Sequence, residues 1–352
     1  MNYEQSVKEQ MQRLQAAGHA TILAIESSCD ETAAAIVRDG REVVASIISS
    51  QIPLHAMYGG VVPEIASRKH VESVDPVIDE CLKKADMSLS DVDAIAVTYG
   101  PGLVGALLIG VSAAKALAYA AGKPLIPVNH IEGHVSANYI AHKDLEPPFV
   151  CLVASGGHSH IVRVDDYGVY TLLGQTMDDA AGEAFDKAAR VLGLPYPGGP
   201  LLDKLSREGN PHALKLPHVQ TPGRYDYSFS GLKTALINTV HKLRQNGQEV
   251  PAADIAASFQ HAAVELLSDK AVLAAKESGS KIMALAGGVA SNSGLRNTMN
   301  DKCQKAGIRL MMPPPILCTD NAAMIGSAGF YRLMRGEIAG LDLNACPSLK
   351  LV

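Results

Sequence analysis

The chain has 352 residues, 47% of them hydrophobic, only 5% aromatic and none of them Trp, and it carries a formal net charge of −5. That is chain enough for two ordinary cores built from Ala, Val, Ile and Leu, a composition suited to parallel sheets covered by helices. The charge excludes a globally basic nucleic-acid binder, so a nucleic-acid partner would need a local basic patch or a helper protein.

In chain order, residues 1–19 read as a polar extension, a weak helix or frayed arm with Glu4, Lys8, Glu9 and Arg13 and no secretory signal. Residues 21–25 form a short apolar strand. The polar turn Glu26-Ser27-Ser28-Cys29-Asp30-Glu31 leads to a return strand at 33–37, and Asp39-Gly40 turns the chain into a third strand at 43–49. Residues 63–84 are helical, with Val74, Val77, Ile78, Cys81 and Leu82 along one stripe. A buried strand at 94–98, the tight turn Gly100-Pro101-Gly102 and an apolar helix to residue 121 follow. The stretch 103–121 is long enough to span a bilayer, but Lys115 and the preceding Gly-Pro-Gly make it a buried helix behind a strand, and no membrane partner is expected. A strand at 124–129 then runs into a helix starting at His130.

The second half repeats this plan: strand 149–154, the turn Ser155-Gly156-Gly157-His158, and return strand 159–164. Strand 282–286, Gly287-Gly288 and a helix from Ser293 echo the elements near residue 100. Duplicated sheet-plus-helix lobes are expected, a first lobe at 20–129 and a second at 130–325, with metal and nucleotide contacts in the cleft between them. Residues 326–352 would be a C-terminal helix and tail packing back on the first lobe. Residues 207–227 read as a long surface loop, with helices at about 232–244 and 255–277. The cysteines Cys29, Cys81, Cys151, Cys303, Cys318 and Cys346 form no C-x-x-C pair and read as free thiols in a reducing, cytoplasmic compartment.

His130-Ile131-Glu132-Gly133-His134 places two imidazoles one helical turn apart on one face, which suits a shared metal ion and equally suits a helix start capped by Asn129. Glu132 sits roughly 200° around the helix from His130, so the general base of an H-E-x-x-H protease is missing. Asp320 is the natural third ligand, although it also stands where the last helix needs an N-cap. Two His and one carboxylate favour Fe(II) and admit Zn. Ser155-Gly156-Gly157 reads as an anion nest or an ordinary hairpin turn. Gly287-Gly288 reads as a phosphate-binding or plain strand-to-helix turn, with Ser291 or Asn292 as N-cap. Asp178 to Lys187 begins a helix whose early acids suit its dipole; Asp186, further in, and Asp203 are candidates for ribose hydroxyls. Lys187, Arg190 and Lys233 are the candidate basic patch.

Taken together, Ile25-Glu26-Ser27-Ser28-Cys29-Asp30-Glu31-Thr32, Gly59-Gly60-Val61-Val62-Pro63-Glu64, Gly100-Pro101-Gly102, His130 to His134, Ser155 to His158, Asp178 to Lys187, Tyr196 to Pro200, Phe229-Ser230-Gly231-Leu232-Lys233, Gly287-Gly288-Val289 and Cys318-Thr319-Asp320-Asn321 resemble the signatures of the bacterial tRNA N6-adenosine threonylcarbamoyltransferases, the TsaD family. They run in order over about residues 21–335; the polar extension before Thr21 departs from the family. The resemblance implies an α/β, two-lobed actin-like ATPase fold of the sugar kinase/Hsp70/actin class. It implies transfer of threonylcarbamoyl from its adenylate to N6 of the adenosine 3′ of the anticodon in tRNAs reading codons that begin with A. The family's metal ligands fall on His130, His134 and Asp320, and its substrate contacts on Val153, Ala154, Ser155, Gly156, Gly157, Asp186, Gly199, Asp203 and Asn292. The implied partners are tRNA, threonylcarbamoyl-AMP, TsaB and TsaE, with TsaC supplying the adenylate. No general base is identified; Asp30 and Glu31 are the weak candidates. The competing readings are an ATP-dependent small-molecule kinase of the same fold, a metalloprotease, and a non-catalytic nucleotide-binding scaffold.

Overall fold

The computed structural model describes residues 3–217 and 221–352. The first two residues of the N-terminal extension and residues 218–220 of the expected loop lie outside the described residues. The chain divides into two compact units, Met1–Glu146 with Thr319–Val352, and Pro147–Cys318.

In the first unit the extension is a helix, α1 (Tyr3–Ala17), followed by β1 (Thr21–Glu26), β2 (Glu31–Arg38) and β3 (Glu42–Ser50). The short α2 (Ile52–Ala56), α3 (Pro63–Lys84), β4 (Ala94–Gly100), α4 (Val104–Ala121), β5 (Leu125–Asn129) and α5 (His130–Ala141) complete its N-terminal part. The strands lie in the order β3-β2-β1-β4-β5, antiparallel through β3, β2 and β1 and parallel through β1, β4 and β5. Pro63 opens α3, where its missing N–H costs nothing. Val74, Val77, Ile78 and Cys81 of α3 are buried in this unit's apolar core as the stripe predicts. Apolar α4 buries one face, Ala106, Leu107, Gly110, Val111, Ala114 and Ala118, and exposes Val104, Leu108 and Tyr119 on the other, while Lys115 Nζ donates to the Leu343 carbonyl at 2.9 Å.

The second unit runs β6 (Phe149–Ala154), β7 (Ser159–Asp166), β8 (Val169–Gln175), α6 (Ala181–Val191), α7 (Gly198–Ser206), α8 (Ser230–Gln245), α9 (Ala252–Glu277), β9 (Ile282–Ala286), α10 (Ser293–Ala306), β10 (Arg309–Met311) and α11 (Pro315–Cys318). Its sheet order is β10-β9-β6-β7-β8, with the same pattern of antiparallel and parallel pairs as the first sheet. The duplicated plan therefore holds strand for strand. The final helix, α12 (Ala322–Met334), returns to the first unit and packs on α5, β1 and β2.

Three corrections follow. The unit boundary lies after Glu146 and not at 129/130, and the chain returns at Thr319 and not at 326, because α5 packs against α12 and the first sheet. Asp320 and both histidines, expected in the second lobe, accordingly lie together in the first unit. The acids Asp178 and Asp179 do not open α6, which starts at Ala181. Asp178 instead accepts from the Phe229 backbone N–H at 2.8 Å and from the Ser228 hydroxyl, and Asp179 pairs with Lys187 and Lys233, each at 2.7 Å. With Glu183 also on Lys187 at 2.8 Å, two carboxylates offset two members of the candidate basic patch.

Candidate functional site

The metal candidates rest on two helix starts. Asn129 caps α5, its side chain accepting from Ile131 N–H at 2.9 Å, and so delivers His130 and His134 on one face. At α12 the cap is Asn321, which accepts from Met324 N–H at 2.9 Å; Asp320 is relieved of the capping role and turns to the histidines. α12 approaches closely because position 133 is glycine: a Cβ there would lie 2.7 Å from Ile325 Cδ1. Asp320 Oδ1 stands 3.6 Å from His130 Nε2 and 3.2 Å from His134 Nε2. Ligands around 2.0–2.1 Å from a tetrahedral ion are about 3.3 Å from one another, so the spacing fits a shared ion. His134 is buried, yet neither ring nitrogen makes a hydrogen bond: Nε2 lies near Asp320 without hydrogen-bonding alignment. A buried polar atom left that way is costly unless something else satisfies it, and a cation does.

Behind His130 lies a residue that the sequence reasoning missed. Glu26, fully buried at the end of β1, receives His130 Nδ1 on Oε2 at 3.1 Å, with Ser28 Oγ also 3.1 Å from that nitrogen. Glu26 is itself fixed by the Ser28 N–H at 2.5 Å and by Thr98 Oγ1 at 2.6 Å. A carboxylate on Nδ1 holds the proton there and leaves Nε2 as the ligand atom. The available signal was a lone charge closing an otherwise apolar strand, Thr-Ile-Leu-Ala-Ile-Glu.

Burial disfavours the His130 imidazolium, but Asp320 and Glu26 outweigh it and push the group up to about 9. Burial, with Asp30 and Asp320 alongside, pushes Glu31 up to about 10. A carboxyl protonated at neutral pH donates a hydrogen bond and takes no proton, which makes Glu31 the poorer base candidate; Asp30 lies buried in the same turn. The His130 value has two consequences of opposite sign. Without metal, its contribution to stability is complete below the unfolded value near 6.5 and is lost as pH rises through about 9. Metal must displace that proton, so zinc affinity should rise roughly tenfold per pH unit between 6.5 and 9 and then level off. Calorimetric titration in buffers of different ionisation enthalpy checks this; an affinity flat over that range refutes it.

The second unit gathers the nucleotide candidates. Val153 and Ala154 end β6, fully buried, and Ser155 closes a tight turn, its N–H donating to the His158 carbonyl at 2.8 Å. A Cβ on Gly156 or Gly157 would meet nothing within 4 Å, so these glycines leave an open face rather than relieve a clash within the chain. The start of α6 packs against this turn, with Gly182 N–H on the Ser155 carbonyl at 3.0 Å. Gly287 is required by the backbone: its φ is +85°, and a Cβ would lie 2.4 Å from the Ala154 carbonyl oxygen. Asp186 Oδ1 accepts from Gly198 and Gly199 N–H, both at 2.9 Å, capping α7 from outside. Asp203 accepts from Ser293 Oγ at 2.7 Å and Arg207 at 2.8 Å, and Asn292 caps α10 through Leu295 N–H at 2.9 Å. The structure thus brings Ser155, Gly156 and Gly157 beside α6, Asp186 beside Gly199, and Asp203 beside the Asn292 cap.

Residues 42–327 match the TsaD family, described as tRNA N6-adenosine threonylcarbamoyltransferase. The chain is similar to the tRNA N6-adenosine threonylcarbamoyltransferase of Clostridium perfringens strain SM101, 58% identical over 331 residues, 94% of this chain and 98% of the relative. The protein of that name from Clostridioides difficile strain 630 is 57% identical over 330 residues, with coverage of 94% and 98%. Among solved structures, full-length HypF in its phosphate- and nucleotide-bound form matches with a TM-score of 0.61 at 16% identity, covering 90% of this chain and 47% of HypF. Component A of (R)-2-hydroxyglutaryl-CoA dehydratase from Acidaminococcus fermentans matches with a TM-score of 0.51 at 15% identity, covering 90% of this chain and 98% of that one. At such identities the likeness is one of fold, and the fold is the actin-like ATPase class that the sequence predicts.

Proposed function

This chain belongs to the TsaD family, the tRNA N6-adenosine threonylcarbamoyltransferases, and on that premise we propose how its residues serve the transfer. It is an acyltransferase acting on adenosine in tRNA. The donor is threonylcarbamoyl-AMP, and the acceptor is N6 of the adenosine 3′ of the anticodon in tRNAs reading codons that begin with A. The N6 lone pair attacks the carbamoyl carbon, the bond from that carbon to the phosphate oxygen breaks, AMP leaves with the electron pair, and N6 gives up one proton. AMP is a good leaving group while an exocyclic adenine amine is a weak nucleophile, so the barrier lies in the attack.

His130, His134 and Asp320 would hold one divalent ion, Fe(II) in preference to Zn, with Glu26 fixing the His130 ring. When bound, the ion supplies Lewis-acid polarisation of the donor's oxygens. The Gly156 and Gly157 N–H groups and the start of α6 take the phosphate charge, and Asp186 and Asp203 take ribose hydroxyls. Val153, Ala154, Ser155, Gly199 and Asn292 complete the nucleotide wall. Of the two acids, Asp30 is the one assigned to accept the N6 proton, because Glu31 is held protonated at neutral pH. TsaB and TsaE serve as protein partners, TsaC supplies the adenylate, and the setting is the cytoplasm.

The observation that carries this reading is the meeting of two buried imidazoles and Asp320 in a chain of this family. A protease reading loses its base, because Glu132 is spent on Arg332 at 2.7 Å. Purified protein with TsaB and TsaE should convert threonylcarbamoyl-AMP and unmodified tRNA to modified tRNA, read by mass spectrometry of the digested nucleosides. Phosphorylation of a sugar by the same preparation, with no nucleoside formed, would replace this reading with the kinase.

A further inference from the structure

We propose that Gln260 is a positioning residue of the nucleotide-binding half-site, locking Asp203 and Asn292 into a single orientation; this rests on the reading that the second unit binds an adenylate. Gln260 is buried on α9, between residues that arrive from α7 and from the cap of α10. Its Nε2 donates to Asp203 Oδ1 at 3.0 Å and to Ser206 Oγ at 2.8 Å. Its Oε1 accepts from Asn292 Nδ2 at 2.8 Å.

The orientation of both amides follows from chemistry. An ionised carboxylate only accepts, so the Gln260 amide must aim nitrogen at Asp203 and oxygen at Asn292. Asn292 must then offer its nitrogen to Gln260 and its oxygen to Leu295 N–H, which is the arrangement its capping role needs. Asp203 is kept ionised by the donors around it: against the cost of burial, Ser293, Arg207 and Gln260 hold its carboxyl below the ordinary range. There is little slack, since a Cβ on Gly294 would lie 2.8 Å from Gln260 Nε2. A side chain that fixes an acceptor for sugar hydroxyls before the ligand arrives lowers the ordering cost of binding.

The test compares AMP with 2′,3′-dideoxy-AMP, which lacks both ribose hydroxyls, on the full-length protein by calorimetry. Wild type should prefer AMP. Gln260→Met, near in volume and without the amide, should bind AMP roughly tenfold more weakly and lose most of the preference, while dideoxy-AMP binding changes little. Gln260→Glu, which sets a second carboxylate against Asp203, should do the same and serves if the Met variant does not fold. A variant that weakens both probes equally, preference intact, overturns the positioning role and leaves the nucleotide reading standing. A wild-type protein that binds neither probe removes the nucleotide reading and this proposal together.

Discussion

His130→Ala combined with His134→Ala should abolish stoichiometric metal binding and slow threonylcarbamoyl transfer by roughly a thousandfold or more, on the order of 4 kcal/mol of lost transition-state stabilisation. Two of three protein ligands are removed, and a single carboxylate does not retain a transition-metal ion at micromolar concentration. The two rings are not equivalent in their effect on folding. The His134 ring makes no hydrogen bond, and the Asp320 carboxylate beside it keeps His130 Nε2 at 3.6 Å when the ring is lost. His130 closes a buried network with Glu26 and Ser28, and without it the Glu26 carboxylate keeps only Ser28 N–H and Thr98 Oγ1. His134→Ala alone should therefore remove metal at the smaller cost in stability. Elemental analysis and single-turnover transfer, beside a thermal melt, separate the two effects. A double variant that is folded, metal-free and fully active would end the metal-dependent reading.

The elements legible in the sequence are those whose signals are local. β6 reads as a strand because all its residues, Phe-Val-Cys-Leu-Val-Ala, are buried on both faces. The sheet-edge strands β8 and β10 are missed because partial exposure breaks any apolar run. α7 hides behind Tyr196-Pro197-Gly198-Gly199-Pro200, which looks like a turn until Asp186 is seen to cap it. The start of α6 is misplaced because Asp178 and Asp179 serve partners about fifty residues away, a relation that no window in the sequence contains. The grouping of His130, His134 and Asp320 was legible by type and spacing, and the competing claim on Asp320 is removed by its neighbour Asn321 taking the cap. Gln260 was out of reach, and at Glu26 the sequence shows a lone charge ending an apolar strand but not its role: what a buried polar side chain does is recognisable only once the groups that satisfy it are in place.

Arg332→Ala should destabilise the first unit by about 3–5 kcal/mol, a large share of the 5–15 kcal/mol typical of a domain. Glu132 lies on α5 with its side chain 3% exposed, and Arg332 of α12 reaches it at 2.7 Å while also donating to the Pro127 carbonyl at 2.8 Å. Burial pushes the Glu132 carboxyl above the ordinary range, and Arg332 works against that shift. Without the guanidinium, Glu132 must hold an unpaired buried charge or take up a proton at neutral pH, and either costs more than the pair contributed. Glu132→Leu with Arg332→Met removes both charges at similar volume and should recover most of the loss, since desolvation of the pair is avoided as well. The pair also ties the helix carrying both histidines to the helix headed by Asp320, so Arg332→Ala should weaken zinc binding although it touches no ligand. Urea denaturation with an unchanged slope, and zinc titration of the same samples, measure the two outcomes. A loss below about 1 kcal/mol with full zinc affinity would mean that the pair is solvated, and that the two helices are held together by apolar packing around Gly133 and Ile325.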